Sequence, residues 1–170
     1  MMDECRLSPL YHRMRQKALR ILSLRDHSEQ ELRIKLSAAL STSESQLADD
    51  QHPSEGTEAL EQVIQWCKVH NYIDDLRFAV RFLSMRSQKG YGAQRIGIEL
   101  NQKGIERSVV KTLLSETEID WCLVGRDVAR RKFGEPLPEE WKAKMKVQRF
   151  LLSRGFTPDD IREIYRQDDQ

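Results

Sequence analysis

Apolar residues recur at intervals of three or four along most of the chain, which is the spacing of residues on one face of an α-helix. In the first such stretch Tyr11, Met14 and Ala18 share a face, and in a later one Leu32 and Leu36 do so. The sequence has no run of alternating apolar and polar residues of the kind that marks a β-strand. The pattern therefore predicts an all-α protein, which stretches rich in Gly, Pro, Asp and Ser divide into nine helices.

Residues that favour helix ends stand at several of the predicted boundaries. Ser28 and Glu31 have the spacing of a capping box, in which each side chain bonds the backbone N–H of the other residue. Asp74 or Asp75 is expected to cap the fourth helix and to favour its positive end. Asn71 is expected to end the third helix in the left-handed conformation. We therefore interpret these residues as structural rather than chemical.

A sequence repeat links two later parts of the chain. Residues 96–114 match residues 147–165 without a gap, at an offset of 51 residues, and each stretch indicates a helix, a glycine and a second helix. Gly104 and Gly155 are expected to end a helix with a positive φ, which glycine adopts without a Cβ penalty. A repeated helical unit is typical of an extended surface for a partner rather than of a single catalytic pocket.

The nine predicted helices group in threes, which gives three tandem three-helix repeats. The first repeat covers residues 8–70 and carries a polar insertion at 41–56, which we expect to be poorly structured. The second covers residues 71–117 and the third covers residues 118–167. Each unit is too small to bury a generous core, so neighbouring units are expected to pack together.

The charges of the chain are segregated although they nearly cancel. Lys and Arg number 28 and Asp and Glu number 27, so the net charge is +1. Residues 6–25 nevertheless carry six basic groups and no acid, and residues 26–75 carry a net charge of −8. Residues 77–111 carry +6 and residues 126–154 carry +5. Such blocks indicate either an electrostatic surface for a partner or ordinary solvated helix faces, and the sequence leaves both open.

Basic residues beside aromatic ones are the strongest candidates for a binding surface. Tyr91 follows the fourth helix in a Lys-Gly-Tyr-Gly turn, where we expect it to be exposed. Arginine and lysine in such a place could meet phosphates or a carboxylate-rich protein groove. The candidate partner-binding residues are Arg77, Arg81, Arg86, Lys89, Tyr91, Arg95, Lys103, Arg130, Arg131, Arg149 and Arg154. Trp66, Trp121 and Trp141 are expected in the core rather than as stacking platforms for bases.

Residue types that perform catalysis or bind metals are present without a recognisable pattern. The sequence has no phosphate-binding glycine loop, and no serine or cysteine stands in a nucleophile motif. The four histidines are scattered without metal spacing and are expected at the surface or in turns: His12, His27, His52 and His70. We therefore predict a protein that is not an enzyme and that holds no metal and no cofactor.

Cysteine use and hydropathy favour a cytoplasmic protein. Cys5, Cys67 and Cys122 are odd in number and lack metal spacing, so we interpret them as small buried hydrophobic residues in a reducing compartment. No apolar run approaches the roughly 18 residues of a membrane span. The start of the chain has no apolar signal region, so export is not expected.

Taken in order, these motifs resemble the RecX family of bacterial recombinase regulators. The resemblance runs from about Lys17 to Tyr165. The matching positions up to the fourth helix are Ser28, Glu31, Leu32, Leu36, Tyr72, Asp74, Asp75, Arg77 and Phe78. The later ones are Lys89, Gly90, Gly92, Arg95, Ile96, Leu100, Lys103, Gly104, Ile105, Phe150, Leu151, Arg154, Gly155 and Phe156.

The resemblance implies three tandem three-helix repeats in an elongated, curved molecule. It implies a cytoplasmic protein that binds the RecA recombinase, chiefly as a filament on DNA, and restrains strand exchange, ATP hydrolysis and co-protease activity. Direct contact with DNA is a further option, and we expect a monomer. The alternatives are a stand-alone DNA-binding protein, built from units like helix-turn-helix modules, and an inert scaffold. The near-zero net charge argues against the stand-alone DNA-binding protein.

Overall fold

The computed structural model describes residues 8–44 and 53–168, and over these ranges it contains nine α-helices and no strand. The all-α prediction is therefore confirmed. The helices are, in chain order, α1 Pro9–Leu24, α2 Glu29–Glu44, α3 Pro53–Val69, α4 Asp75–Gln88, α5 Ala93–Gln102, α6 Arg107–Glu116, α7 Trp121–Phe133, α8 Trp141–Arg154 and α9 Pro158–Asp168.

Side chains bond the free backbone donors at the starts of α2 and α4. The hydroxyl of Ser28 accepts a hydrogen bond from the backbone N–H of Glu31 at 3.1 Å, and the Glu31 carboxylate accepts from the backbone N–H of Ser28 at 3.4 Å. At α4 the Asp74 carboxylate accepts from the backbone N–H of Arg77 at 2.9 Å. These bonds stabilise the helix starts because the first N–H groups of a helix have no partner within it.

Asp75 bonds to a different helix from its neighbour Asp74. Its carboxylate accepts a hydrogen bond from the backbone N–H of Glu29 at 2.8 Å, so it satisfies a donor at the start of α2. Burial raises the pKa of Asp75, although the bond from Glu29 works in the opposite direction. The two adjacent aspartates thus serve the starts of two different helices.

Residues with a positive φ end several of the helices, among them α3, α5 and α8. Asn71 has φ 57°, Gly104 has φ 84° and Gly155 has φ 92°. At both glycines the N–H of the following residue bonds to the carbonyl five residues earlier, at 3.1 Å. This bond belongs to the Schellman arrangement, which satisfies carbonyl groups that the helix leaves free at its end.

The chain divides into two compact units, Met1–Phe78 and Ala79–Gln170. In the first unit α1, α2 and α3 pack on one another around a common core. Its buried apolar residues include Tyr11, Met14, Leu32, Leu36, Val63, Ile64 and Cys67. Burial raises the pKa of the Cys67 thiol to about 11, as for a small hydrophobic residue inside a core. Cys122 is half-buried, and Cys5 lies outside the described residues.

His27 lies in the turn between α1 and α2, one of the two expected places for it, but it is buried there rather than at the surface. The residue is 2% exposed. Its Nδ1 lies 2.8 Å from the carbonyl oxygen of Arg25, and its Nε2 lies 2.8 Å from the ammonium nitrogen of Lys35. Burial lowers the pKa of His27, so the neutral ring donates from Nδ1 and accepts at Nε2. His52 lies outside the described residues.

The helices on either side of the polar insertion are longer than its composition predicts. The helix α2 continues to Glu44 and α3 begins at Pro53, so residues 41–44 and 53–56 are helical rather than poorly structured. Polar residues such as serine and threonine cost a helix at most about 0.7 kcal/mol each, so polarity alone does not end one. Proline is also well suited to the first position of a helix. Residues 45–52 lie outside the described residues.

In the second unit α7, α8 and α9 enclose one core, and α5 packs on α6. The core of the last three helices includes Val128, Val147, Leu151, Phe156, Ile161 and Ile164. On α5 and in the turn that follows, Leu100 and Ile105 are buried. They match Leu151 and Phe156 in the repeated sequence, so equivalent apolar positions are buried in both copies.

Candidate partner-binding surface

The turn between α4 and α5 lies within the second unit and contains two glycines. Gly90 has φ 79°. Its N–H bonds to the Ser87 carbonyl at 2.9 Å, and the N–H of Tyr91 bonds to the Arg86 carbonyl at 3.1 Å. The helix α4 therefore ends in the same type of cap as α5 and α8. A Cβ on Gly90 would lie 2.6 Å from Cγ2 of Val128, so this turn packs closely against α7.

Three guanidinium groups surround the ring of Tyr91. The Cζ atoms of Arg86, Arg154 and Arg95 lie 3.8, 4.6 and 4.8 Å from the ring centroid. All three distances fall within the ~6 Å over which a cation is attracted to an aromatic face. Tyr91 is half-buried, and the expectation of an exposed ring is wrong. Predicted site residues from α4, α5 and α8 are thus brought together around one ring.

One carboxylate holds two of these arginines. Nε of Arg86 donates to Glu99 at 2.7 Å, and Nε of Arg95 donates to it at 3.1 Å. Burial acts to raise the pKa of Glu99, but the hydrogen bonds and charges of Arg86 and Arg95 outweigh burial and lower it. Three guanidinium groups against one carboxylate leave an excess of positive charge. We call Arg86, Tyr91, Arg95, Glu99 and Arg154 the Tyr91 cluster.

The turn before α5 is bonded directly to the end of α8. The backbone N–H of Gly92 donates to the carbonyl of Arg154 at 2.8 Å, and that of Gln94 donates to the carbonyl of Gly155 at 3.1 Å. Two arginine side chains add to these bonds. Nη1 of Arg154 donates to the Lys89 carbonyl at 3.2 Å, and Nη1 of Arg95 donates to the Ser153 carbonyl at 3.0 Å.

Glycine is needed on both sides of this contact because the two backbones approach closely. A Cβ on Gly92 would lie 2.4 Å from the carbonyl oxygen of Gly155, and a Cβ on Gly155 would lie 2.4 Å from Cβ of Arg95. Neither separation is tolerated without movement of backbone atoms. The predicted cations Arg86, Arg95 and Arg154 therefore surround a backbone junction between the helices of the second and third predicted repeats.

The other predicted cations of the second repeat lie outside this cluster. Arg81 and Lys89 are exposed. Arg77 belongs to the first unit, and its Nη2 donates to the Asn71 carbonyl at 3.1 Å. The ammonium group of Lys103 lies 5.4 Å from the ring centroid of Phe82.

Three predicted cations of the third repeat stand apart from the Tyr91 cluster in their contacts. Nη1 of Arg130 lies 2.8 Å from the Glu135 carboxylate. Arg131 is exposed, and its Nε donates to the Asp127 carbonyl at 3.2 Å. Arg149 is exposed on α8.

Sequence reasoning missed Glu99, which belongs to the cluster, and the contact between Lys132 and Phe150 beside it. Glu99 stands four residues after Arg95, a spacing that brings opposite charges together on a helix, so it could have been found. The contact of Lys132 could not have been found, because its partner Phe150 is distant in sequence. Its ammonium group lies 4.1 Å from the ring centroid of Phe150. Phe150 in turn contacts Arg154, whose Cζ lies 5.0 Å from its ring centroid.

The three tryptophans do not share one environment. Trp66 packs partly buried against the core of the first unit, and its ring stacks on Tyr72 with centroids 5.2 Å apart. Trp121 is half-buried. Trp141 is 72% exposed at the first position of α8, so the expectation of a core position is wrong for it.

Among the described residues, no group of three or more His, Cys, Asp or Glu side chains is placed to hold a metal ion. No helix over the same residues is both long and apolar enough to cross a membrane.

Comparison with known proteins gives matches over nearly the full length. A regulatory protein RecX from Escherichia coli strain SMS-3-5 / SECEC is 48% identical over 166 residues, which cover 98% of each chain. The chain belongs to the RecX family. A regulatory protein RecX from Salmonella arizonae is 51% identical over 158 residues, which cover 93% of each chain.

Two RecX domain models match the part of the chain that contains the Tyr91 cluster. The second three-helix domain of RecX matches residues 74–114, and the third matches residues 125–165. Arg86, Tyr91, Arg95 and Glu99 fall within the second domain, and Arg154 falls within the third. The Tyr91 cluster is therefore formed by two RecX domains. The exact repeat boundaries stay a prediction.

Solved RecX structures share the fold. The crystal structure of RecX from Lactobacillus salivarius superposes with a TM-score of 0.74 at 20% identity, over 96% of this chain and 99% of that one. A second crystal structure of a regulatory protein RecX gives a TM-score of 0.69 at 21% identity, over 93% of this chain and 72% of that one. At such low identity these structures support the fold alone.

Proposed function

We propose that this chain regulates the RecA recombinase by binding it, chiefly as a filament on DNA, and that it acts without catalysis. The observation that carries the proposal is its 48% identity, over 98% of each chain, with a protein whose name is regulatory protein RecX. A helical repeat protein with exposed cations suits a role in binding. Restraint of strand exchange, ATP hydrolysis and co-protease activity would follow from occupation of the filament.

The contact surface that we favour is the exposed basic part of the second repeat. Arg81 and Lys89 are exposed on α4 and just after it. They adjoin the Tyr91 cluster in sequence and are not members of it. Acidic grooves on a protein filament or the phosphates of its DNA are the complementary partners. The arginines of the Tyr91 cluster have a different task, because they hold the junction between two domains.

The test is a titration of DNA-stimulated ATP hydrolysis by RecA with the double variant Arg81→Glu, Lys89→Glu. Like charges would then face each other in the complex, so we expect inhibition to weaken by on the order of tenfold or more. Higher salt should weaken the wild type in the same direction, because exposed pairs are screened beyond about 8–10 Å. Thermal unfolding should change little, since substitutions at the surface usually shift stability by about 0.5 kcal/mol.

A matched control lies in the same unit. Arg107 and Lys111 are both exposed on α6, and the double variant Arg107→Glu, Lys111→Glu changes the charge by the same amount. We expect it to inhibit nearly as well as the wild type. Equal loss in both double variants would mean that net charge alone acts, and no loss in the first would remove Arg81 and Lys89 from the contact surface.

A further inference from the structure

The outer face of α8 is basic over its first two turns. The helix contains five cations and no acidic residue. Two of the cations have aromatic partners: the Lys144 ammonium group lies 4.4 Å from the Tyr165 ring centroid, and Arg154 belongs to the Tyr91 cluster. The other three, Lys142, Lys146 and Arg149, are exposed, and we call them the α8 stripe.

The spacing of the α8 stripe places its members in one row. Residues three or four apart lie on the same side of a helix, with Cβ atoms about 5–6 Å apart. From Lys142 to Arg149 the helix rises about 10 Å. A row of this kind matches a polymer whose charges recur every few ångströms. The phosphates of a nucleic-acid strand do so, at about 3.4 Å along a duplex axis and further apart when the strand is extended.

The exposed ring of Trp141 favours a single nucleic-acid strand over other charged polymers. Trp141 directly precedes Lys142, and 72% of the residue is exposed. The start of the helix does not depend on the indole, because the Glu140 carboxylate accepts hydrogen bonds from the backbone N–H groups of Lys142 at 3.1 Å and Ala143 at 3.0 Å. An exposed aromatic ring beside a row of cations is the combination that binds single strands, whose bases have free faces to stack on it.

We propose that the outer face of α8 binds single-stranded nucleic acid, with the α8 stripe on successive phosphates and Trp141 stacked on a base. The contact goes beyond the proposed regulation of the recombinase, because it requires the protein alone. Glu140 lies at one end of the row, but its carboxylate is engaged by the helix start. An extended acidic peptide would offer similar charges without a base to stack on Trp141.

A second stripe in the first unit provides a matched control. Arg13, Lys17 and Arg20 are exposed on α1 with the same spacing as the α8 stripe. The aromatic residue of that helix, Tyr11, is buried, so this α1 stripe has charge and no exposed ring on its helix. Comparison of the two stripes separates attraction by charge from the proposed site.

The experiment measures binding of fluorescein-labelled oligothymidylate to the protein without recombinase, by anisotropy over a range of salt concentrations. The triple variant Lys142→Gln, Lys146→Gln, Arg149→Gln should weaken binding by tenfold or more and lower the salt slope by about two, at ~0.7 per phosphate contact. Trp141→Ala should weaken binding about tenfold and abolish the quenching of tryptophan fluorescence by the oligonucleotide. The triple variant Arg13→Gln, Lys17→Gln, Arg20→Gln should change binding less than threefold.

Three results would overturn the proposal. The first is a larger loss from the α1 variant than from the α8 variant. The second is equal affinity and equal quenching for duplex DNA, which has no free base faces at its sides. The third is displacement by polyglutamate as effective as displacement by unlabelled oligothymidylate. The unfolding midpoints of all variants should match that of the wild type, because each changed side chain is exposed. The experiment uses no recombinase, so its outcome is independent of the proposed function.

Discussion

The two glycine turns of the repeated sequence have the same cap and different surroundings. Gly104 and Gly155 both have a positive φ, of 84° and 92°, and both turns contain the same 3.1 Å bond back to the helix. Gly104 is exposed, whereas Gly155 is buried and its carbonyl accepts the N–H of Gln94. The same local sequence thus ends a helix in both domains, but in the third domain it also forms a junction with the second.

The difference arises from the turn that contacts Gly155 rather than from Gly155 itself. The turn after α4 presents Gly92, which has no Cβ to block the approach, and its N–H bonds to the carbonyl of Arg154 at 2.8 Å. Arg95 then covers Gly155 and donates to the Ser153 carbonyl at 3.0 Å. The cap therefore depends only on the sequence around its own glycine, whereas the junction also requires the turn after α4.

The largest expected effect is the difference in stability between the variants Gly104→Ala and Gly155→Ala. Gly104→Ala carries the left-handed penalty of about 1–2 kcal/mol. Gly155→Ala carries the same penalty and also forces Cβ to within 2.4 Å of Arg95, so we expect a total loss of roughly 3 kcal/mol or more. Urea unfolding of the two variants measures the difference. Equal losses would show that Gly155 makes no junction beyond its cap.

Gly92→Ala should isolate the junction from the backbone penalty. Gly92 has φ −84°, which alanine adopts freely, so the expected loss of about 1–3 kcal/mol comes from the clash with the Gly155 carbonyl alone. Gly97→Ala on α5 is the control, because its Cβ would meet the end of the Leu114 side chain at 3.2 Å and alanine favours a helix by up to about 1 kcal/mol. A near-neutral Gly92→Ala would contradict the close approach of the two backbones.

Arg154 and Lys103 occupy matching positions beside the two glycines. Replacing each of them should give a smaller difference in unfolding free energy, with the larger loss again in the third domain. Arg154→Gln removes contacts with Tyr91 and Phe150 and a bond to a carbonyl, so unfolding should become easier by about 1 kcal/mol. Lys103→Gln, at the matching position of the repeat, weakens among other interactions a contact with Phe82 at 5.4 Å and should cost about 0.5 kcal/mol. Thermal unfolding compares them, and a reversed order would mean that Arg154 does not support the junction.

Acid should weaken the junction through Glu99, with the smallest effect of the series. The pKa of Glu99 is lower in the folded protein than its ordinary value of 4.5, because Arg86 and Arg95 outweigh burial. A lowered pKa stabilises the fold above pH 4.5, and this stabilisation is lost as the pH falls through the folded-state pKa. Glu99→Gln should therefore flatten the acid side of the stability curve, and an unchanged curve would contradict the role of Glu99.

The sequence predicts local features of this molecule better than contacts between distant segments. The caps at Gly104 and Gly155 follow from a glycine after an apolar helix face, which is a signal within one segment. The junction joins Gly92 to Arg154, which are far apart in the chain, and no pattern within either segment indicates the other. Tyr91 was expected to be exposed for the same reason, since a turn between glycines is usually at the surface unless something packs on it.

The burial of His27 and the exposure of Trp141 have related causes. His27 stands in a polar turn, and its burial depends on bonds to Arg25 and Lys35 that a hydropathy pattern does not contain. Trp141 follows helical periodicity, yet the first turn of α8 places it outward and 72% exposed. Periodicity identifies the faces of a helix, but the residues at its ends are the least constrained by the core. The sequence therefore identifies the candidate cations, but it does not predict how they are arranged around Tyr91.

The central claim divides the cations of the second unit into those that hold the junction and those that bind the partner. Lys89 and Arg154 test it most directly, because Arg154 Nη1 lies 3.2 Å from the Lys89 carbonyl and either change to glutamine removes one charge from the same region. The measurement is inhibition of DNA-stimulated ATP hydrolysis by RecA, titrated well below both unfolding midpoints. We predict that Lys89→Gln weakens inhibition by up to about fivefold, as for one exposed ion pair, and that Arg154→Gln inhibits like the wild type. Equal inhibition by the two variants, or weaker inhibition by Arg154→Gln, would contradict the division.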